Sequence, residues 1–235
     1  MTSKFPLSLG ILNLERGVPS GAVPKTPLPG SMMNPATYGF PIISETVEGA
    51  WADNVVRGDP ALELAYITAA RRLVQRGAVA ISANCGFSIR HQAAVAASVN
   101  VPVALSSLLL LPTLLRQLPG PAKLAVITAD SNHCGEELLR IDDPVERAKV
   151  VIGGIEGGTF WKNEMQRPPP WTDVRDIEAE VLACVSRLRD AHPEIAVILF
   201  ECTGFPLVRP TIRRTTGLPV YDVTTLCQMM LASVA

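Results

Sequence analysis

Short apolar runs alternate along this chain with longer stretches whose apolar positions recur at helical spacing. The runs "LSLGILNL" (7–14), "AVAISAN" (78–84), "VPVALS" (101–106), "KLAVITA" (123–129), "VVIGGI" (150–155), "AVILFEC" (196–202) and "LPVYDV" (218–223) predict strands. They are nearly continuous in hydrophobic residues, the pattern of strands covered on both faces. The stretches 60–76, 87–99, 107–117, 132–140, 173–191, 206–215 and 224–234 predict helices. Asp59 and Pro60 suit an N-cap and first turn, and Gly77 suits a C-terminal stop. Asp173, with Asp176 following, opens the longest helix. Strand–helix alternation of this kind predicts an α/β fold with parallel sheets.

Two regions break the alternation. Residues 15–50 are rich in Pro, Gly and Thr, and "GGTFWKNEMQRPPPW" (157–171) runs from glycines into prolines. Long loops are surface or interface segments, or they wall a substrate site.

Composition narrows the function. The chain has 235 residues, 48% hydrophobic and 18% charged, which fits one large domain or two small lobes with a sizeable core. A net charge of −1, with basic and aromatic residues not interleaved, argues against nucleic acid as a partner. The run "VPVALSSLLLLPTLL" (101–115) is too short to span a bilayer, so no membrane role is expected, and the N-terminus shows no secretory pattern. Five widely spaced cysteines without CxxC argue against a disulfide framework and for a reducing, cytoplasmic setting. His91, His133 and His192 lack zinc-ligand spacing.

The chain also resembles itself. At an offset of 117 residues Cys85 falls on Cys202, Pro102-Val103 on Pro219-Val220, Ile81 on Ile198, Glu63 on Glu180, Arg72 on Arg189 and Ser107 on Thr224. The strand beginning at Leu7 falls on the one beginning at Leu124. A duplication predicts two similar lobes with parallel-sheet cores, facing each other across a pseudo-twofold axis. The expected division is 1–106 plus 216–235, carrying Cys85, and 107–215, carrying Cys202. Each cysteine would then stand at the carboxyl end of a strand, where open α/β sheets bind ligands.

A helix start after each cysteine favours a thiolate or a bound carboxylate. Two thiols on opposite sides of one carbon suggest proton removal by one and delivery by the other, which inverts a stereocentre. Such a step needs fixed donors where charge develops but no metal. Cys134, Cys184 and Cys227 lack the matched setting and read as packing residues.

"ANCGF" and "ECTGFP", one in each half, resemble the aspartate/glutamate racemase superfamily, with its glutamate, aspartate and hydantoin racemases, maleate isomerases and arylmalonate decarboxylases. "CTGFP" is similar to the "CTHFP" of glutamate racemases. The resemblance implies two α/β lobes, no cofactor, an active site in the cleft between the lobes, and Cys85 and Cys202 as the acid/base pair. It also implies substrate-binding roles for Asn13, Tyr38 (in Tyr38-Gly39), Asn84, Gly86, Ser131, Asn132, Thr203 and Gly204. Gly86-Phe87 replaces the Asn-Thr of dicarboxylate racemases, and Gly204 replaces the histidine after "CT", so a less polar cleft is expected. Retention of both cysteines is unlike the decarboxylases, which keep only the second.

The expected activity is a cofactor-independent racemase or epimerase acting on an amino acid, an amino-acid derivative or another small carboxylate. The alternatives are a maleate-type cis–trans isomerase with a nucleophilic cysteine, and a non-catalytic two-lobed small-molecule binding protein. Arg209, Arg213 and Arg214, after Cys202, would attract an anion or form a solvated helix face. A homo-oligomer is a reasonable expectation from the extended loops.

Overall fold

In a computed structural model, which describes residues 6–19, 21 and 26–234, the chain divides into two compact units. The first runs to Ser106 and resumes at Thr224, and the second is the continuous segment Ser107–Val223. The first holds β1 (Ser8–Asn13), β2 (Ile42–Thr46), α1 (Ala52–Arg57), α2 (Glu63–Gln75), β3 (Ala78–Ala83), α3 (Gln92–Ser98) and β4 (Val103–Ala104). The second holds α4 (Leu111–Gln117), β5 (Lys123–Thr128), α5 (Glu136–Leu139), α6 (Pro144–Arg147), β6 (Val150–Gly154), α7 (Thr159–Glu164), α8 (Val174–Ala191), β7 (Ile195–Phe200), α9 (Arg209–Thr216) and β8 (Val220–Tyr221). Helix α10 (Val223–Val234) carries the chain back into the first unit. There Gln228 Nε2 donates to the Thr37 carbonyl.

Each unit has one four-stranded, all-parallel sheet, ordered β2-β1-β3-β4 and β6-β5-β7-β8. The helices cover the sheets with apolar stripes. In α2 the stripe is Tyr66, Ala69, Ala70 and Leu73, and in α8 it is Ile177, Val181, Cys184 and Val185. Gly10 lets α2 lie close to β1, since a Cβ there would stand 3.1 Å from Leu73 Cδ1. The expected caps form: the Asp59 carboxylate accepts from Ala61 N and that of Asp173 from Arg175 N.

The duplication extends to register. Ile81 lies beside Val103 as Ile198 lies beside Val220. Gly10 lies beside Ile81 as Ala125 lies beside Ile198, and both pairs of strands slip register at the same place, between Ser8 and Leu9 and between Lys123 and Leu124. The first strands are therefore two residues out of step with the 117-residue offset, and the counterpart of Asn13 is Thr128. Non-sheet hydrogen bonds repeat too. Ile81 N donates to Pro102 O, and Ile198 N to Pro219 O. Val47 N donates to Asn13 O, and Ile155 N to Thr128 O.

Several expectations shift. Residues 216–235 do not form one piece of the first unit: β8 pairs with β7, so the chain returns at Thr224 and not at residue 216. The region 15–50 contains β2, a half-buried edge strand whose "IISET" lacks a continuous apolar run; residues 20 and 22–25 lie outside the described residues. The region 157–171 contains α7, and the helix expected over 132–140 is limited to α5. Three of the expected helices, from residues 60, 87 and 107, begin as 3-10 turns, as does the one after Cys202.

Candidate active site

Strand order fixes where each sheet can present chemistry. In the order β2-β1-β3-β4 the chain leaves β1 to one side and returns to the other, so the switch point lies between the carboxyl ends of β1 and β3. Asn13 ends β1, and Asn84 and Cys85 follow β3. In the second unit the switch lies between β5 and β7, where Thr128 ends one strand and Glu201 and Cys202 follow the other. Each cysteine therefore emerges at the crevice of its own sheet.

The backbone builds the two settings alike. Asn84 N donates to Leu12 O and Glu201 N to Ile127 O, both at 2.9 Å, which carries pairing one residue beyond the strands. Ser88 N then closes on Cys85 O at 3.1 Å, and Phe205 N on Cys202 O at 3.2 Å. A 3-10 turn follows each, over Gly86–His91 and Phe205–Val208, leading into α3 and α9. Both cysteines are half-buried thiols outside any disulfide, whereas Cys134, Cys184 and Cys227 are buried. Burial pushes the Cys184 thiol up to about 11, the state of an inert packing residue.

Side chains distinguish the two settings. In the first unit, Asn84 Oδ1 accepts from Leu14 N at 2.8 Å and ties β3 to the continuation of β1. Among the described residues Asn13 Oδ1 is buried without a hydrogen-bond partner. Behind the turn, Tyr66 Oη and Ser88 Oγ share a buried hydrogen bond of 2.8 Å, and the His91 ring stacks on Tyr66 at 4.4 Å. Burial first, and then the charge Cys85 carries when ionised, hold the Tyr66 phenol far above its ordinary range, so it stays neutral. Burial lowers His91 against the opposing pull of Glu63, so the imidazole is held neutral too. Phe87 is buried with the Arg90 guanidinium 5.6 Å from its ring centre.

The second unit replaces that polar backing with rings. Phe205 meets Phe200 at 5.6 Å and Phe160 at 5.9 Å. Phe160 comes from α7, whose first amides, at Thr159 and Phe160, are capped by the Glu180 carboxylate of α8. A Cβ on Gly204 would stand 2.7 Å from Phe160 Cζ, so the ring occupies the room a side chain at 204 would need. The apolar character expected from Gly204 is supplied by α7, in a region whose sequence reads as a loop. Beside the rings lies a polar chain: Asp130 N donates to Thr128 Oγ1 at 3.3 Å, and Thr128 Oγ1 donates to the buried Glu201 Oε2 at 2.8 Å.

Other expected site residues have internal work. Ser131 N and Oγ both donate to Glu156, whose carboxyl these bonds hold low against its burial. Asn132 N donates to Asp130 Oδ1, and Asp130 Oδ2 accepts from Trp161 Nε1 and contacts His133 Nδ1 at 3.1 Å. Ser131 and Asn132 lie in the loop beyond β5, which ends at Thr128. Tyr38 Oη donates to Met32 O inside its own loop. Gly86 and Thr203 directly follow the two cysteines. Of the three arginines, Arg209 is bound to both oxygens of the buried Asp222, and Arg214 bonds Thr211 on an exposed face. Among the described residues no cluster of His, Cys, Asp and Glu is arranged to hold a metal ion, and no helix is long and apolar enough to cross a membrane. Sequence reasoning passed over Glu201, Thr128, Tyr66, Ser88 and Phe160. Only Glu201 had a visible signal, a carboxylate in front of a strand-end cysteine.

No family model matches the chain. It is 28% identical over 204 residues to a dimethylsulfoniopropionate lyase of Durusdinium sp. clade D, covering 83% of this chain and 67% of that protein. It is 25% identical over 244 residues to dimethylsulfoniopropionate lyase 7 of Emiliania huxleyi (strain CCMP1516), covering 99% and 68%. A further such lyase of that organism is matched over 59% of its length, so the chain spans about two thirds of these relatives or less. Among solved structures, allantoin racemase from Pseudomonas fluorescens superposes with a TM-score of 0.61 at 16% identity, over 97% of this chain and 90% of that one. Glutamate racemase from Francisella tularensis gives 0.56 at 15%, over 97% and 80%, and an arylmalonate decarboxylase gives 0.53 at 19%, over 91% and 87%. The chain has the fold of the aspartate/glutamate racemase superfamily.

Proposed function

We propose that the chain is a carbon-acid enzyme in which Cys85 and Cys202 act on the carbon next to a small substrate's carboxylate, and that its reaction is a β-elimination of the dimethylsulfoniopropionate-lyase kind. The observation that carries this is the pair of half-buried thiols at equivalent switch points, each held by the same backbone hydrogen bonds. The named lyase relatives, alike over nearly the whole chain, favour elimination.

The chemistry is continuous with racemisation. A thiolate takes the proton from C2 of the sulfoniopropionate. The electron pair left behind forms the C2–C3 double bond, the C3–S bond breaks with its electrons going to sulfur, and dimethyl sulfide and acrylate leave. The proton stays on the cysteine and passes to solvent. In a racemase the same carbanion is instead reprotonated from the opposite face. Both reactions need donors at the carboxylate, where charge builds. Asn13, Tyr38, Asn84, Gly86, Ser131, Asn132, Thr203 and Gly204 remain the proposed binding set, with Asn84, Gly86, Thr203 and Gly204 placed next to the thiols in sequence. In the structure as it stands, Ser131 and Tyr38 would have to exchange an internal hydrogen bond for one to substrate.

Inversion of an amino acid or its derivative is the second reading, favoured by the equivalence of the two backbone settings. The test is release of dimethyl sulfide from dimethylsulfoniopropionate, run beside polarimetry on amino acids and hydantoins. Elimination abolished in Cys85→Ser or Cys202→Ser supports the first reading, and loss of rotation without elimination supports the second. Binding of these ligands without turnover, unchanged in both variants, would leave a binding protein.

A further inference from the structure

The two settings match in backbone and differ in charge. At the 117-residue offset the residue before each cysteine is Asn84 in one unit and Glu201 in the other. Both latch their strand to its neighbour, Asn84 through Leu14 N and Glu201 through Thr128 Oγ1. The second latch has a defined direction. The Thr128 hydroxyl accepts from Asp130 N–H with one lone pair and donates its own proton to Glu201 Oε2. As acceptor of that bond Glu201 is favoured in its charged form, against the burial that favours the neutral one. It is 1% exposed, where solvent screens least.

The surroundings add to the difference. In the sheet of Cys202, Asp130 follows β5 and Glu156 follows β6, both carboxylates at the carboxyl end, and the cation Arg209 is bound to Asp222. His133 stands against Asp130. The elements packed around Cys85 carry Tyr66, held neutral, His91, held neutral, and the cation Arg90, with Glu63 and Asp59 grouped about His91. Position 207, the counterpart of Arg90, is Leu. The turn after the first cysteine starts at Gly86 with Cys85 as its N-cap, whereas the one after Cys202 starts at Phe205 with Gly204 as its N-cap, so the backbone amides of the turn lie closer in sequence to Cys85.

From this we infer that Glu201 is a positioning residue that keeps Cys202 in its thiol form, making Cys85 the thiolate base and Cys202 the proton donor. The assignment rests on the two-thiol reading above. It gives the pair a direction: Cys85 removes the α-proton, and Cys202 stands on the protonated side. A one-way elimination needs only the thiolate base, since dimethyl sulfide leaves uncharged, and a racemase with this polarity would run its two directions from different protonation states.

The test does not need the substrate. The full chain is treated with iodoacetamide across pH, and alkylation of each cysteine is followed by peptide mass spectrometry. The midpoint of each rate–pH profile reports titration, not access. In wild type the Cys85 midpoint is expected below that of Cys202. Glu201→Gln keeps an acceptor for Thr128 and removes the charge; it should lower the Cys202 midpoint by about one pH unit and leave Cys85 unmoved. Asn84→Asp keeps the Leu14 latch and adds a charge; it should raise the Cys85 midpoint. A wild-type midpoint lower at Cys202, or a Cys202 midpoint unmoved by Glu201→Gln in folded protein, would overturn the inference. The expected midpoints in a protein that turns over no carboxylate would retain the charge assignment and sink the catalytic reading. Turnover with inverted midpoints would do the reverse.

Discussion

Gly204 shows how one missing side chain shapes the second site. Its Cβ position is taken by Phe160, so Gly204→Ala should force the ring out of a packed cluster and cost about 1–3 kcal/mol. Urea denaturation would show it, and adding Phe160→Leu should recover part of the loss; equal stability of Gly204→Ala and wild type would mean the ring is not held there. The Tyr66–His91 stack makes a pH prediction. A His91 held neutral when folded contributes stability that is present above the unfolded value near 6.5 and lost as pH falls through the folded value. Wild type should therefore lose stability on acidification more steeply than His91→Phe, with the difference opening below about pH 6.5. Parallel curves for the two proteins would remove His91 as the cause. Residue-scale detail of this kind was the least legible in sequence. Cys85 and Cys202 stood out because they recur. Phe160 and Tyr66 reach the strand ends from helices, and Thr128 from the end of the neighbouring strand, and nothing in their local pattern says so.

At the scale of elements, the same joint recurs with different chemistry. In the first unit Gln92, at the start of α3, donates to Val103 O and accepts from Leu105 N. In the second, Arg209, at the start of α9, binds the Asp222 carboxylate at the corresponding place after β8. Arg209→Met should cost roughly 1.5–3 kcal/mol, the worth of hydrogen bonds to a charged group, read as a lower urea midpoint with an unchanged slope. A variant as stable as wild type would show that the pair is not a structural tie. Arg209 is thus a fastener, and the anion-attracting role that sequence allowed it does not fit its partners. All seven expected strands emerge, with ends within a residue or two of the observed ones. The short pair Val103–Ala104 and Val220–Tyr221 is trimmed most, and β2 was missed because an edge strand needs less apolar covering.

For the whole molecule, the repeat was legible in sequence and its boundary was not. The offset matches β4 with β8, and the second unit ends after β8, so 216–223 belongs to it and not to the first lobe. The second unit is one uninterrupted segment with its own sheet and core, so an excised 107–223 fragment should unfold cooperatively in urea. A fragment without a cooperative transition would make the two units interdependent.

The central claim is α-carbon proton transfer by two cysteines, and proton NMR in deuterated water tests it most directly. The chain is incubated with dimethylsulfoniopropionate and a panel of amino acids, hydantoins and small carboxylates, with Cys85→Ser and Cys202→Ser in parallel. The account predicts acrylate and dimethyl sulfide, or deuterium at the α-carbon, from wild type, falling at least about 100-fold in the variants, as expected for loss of a general acid or base. Reaction undiminished in both serine variants, or no reaction across the panel, would contradict it.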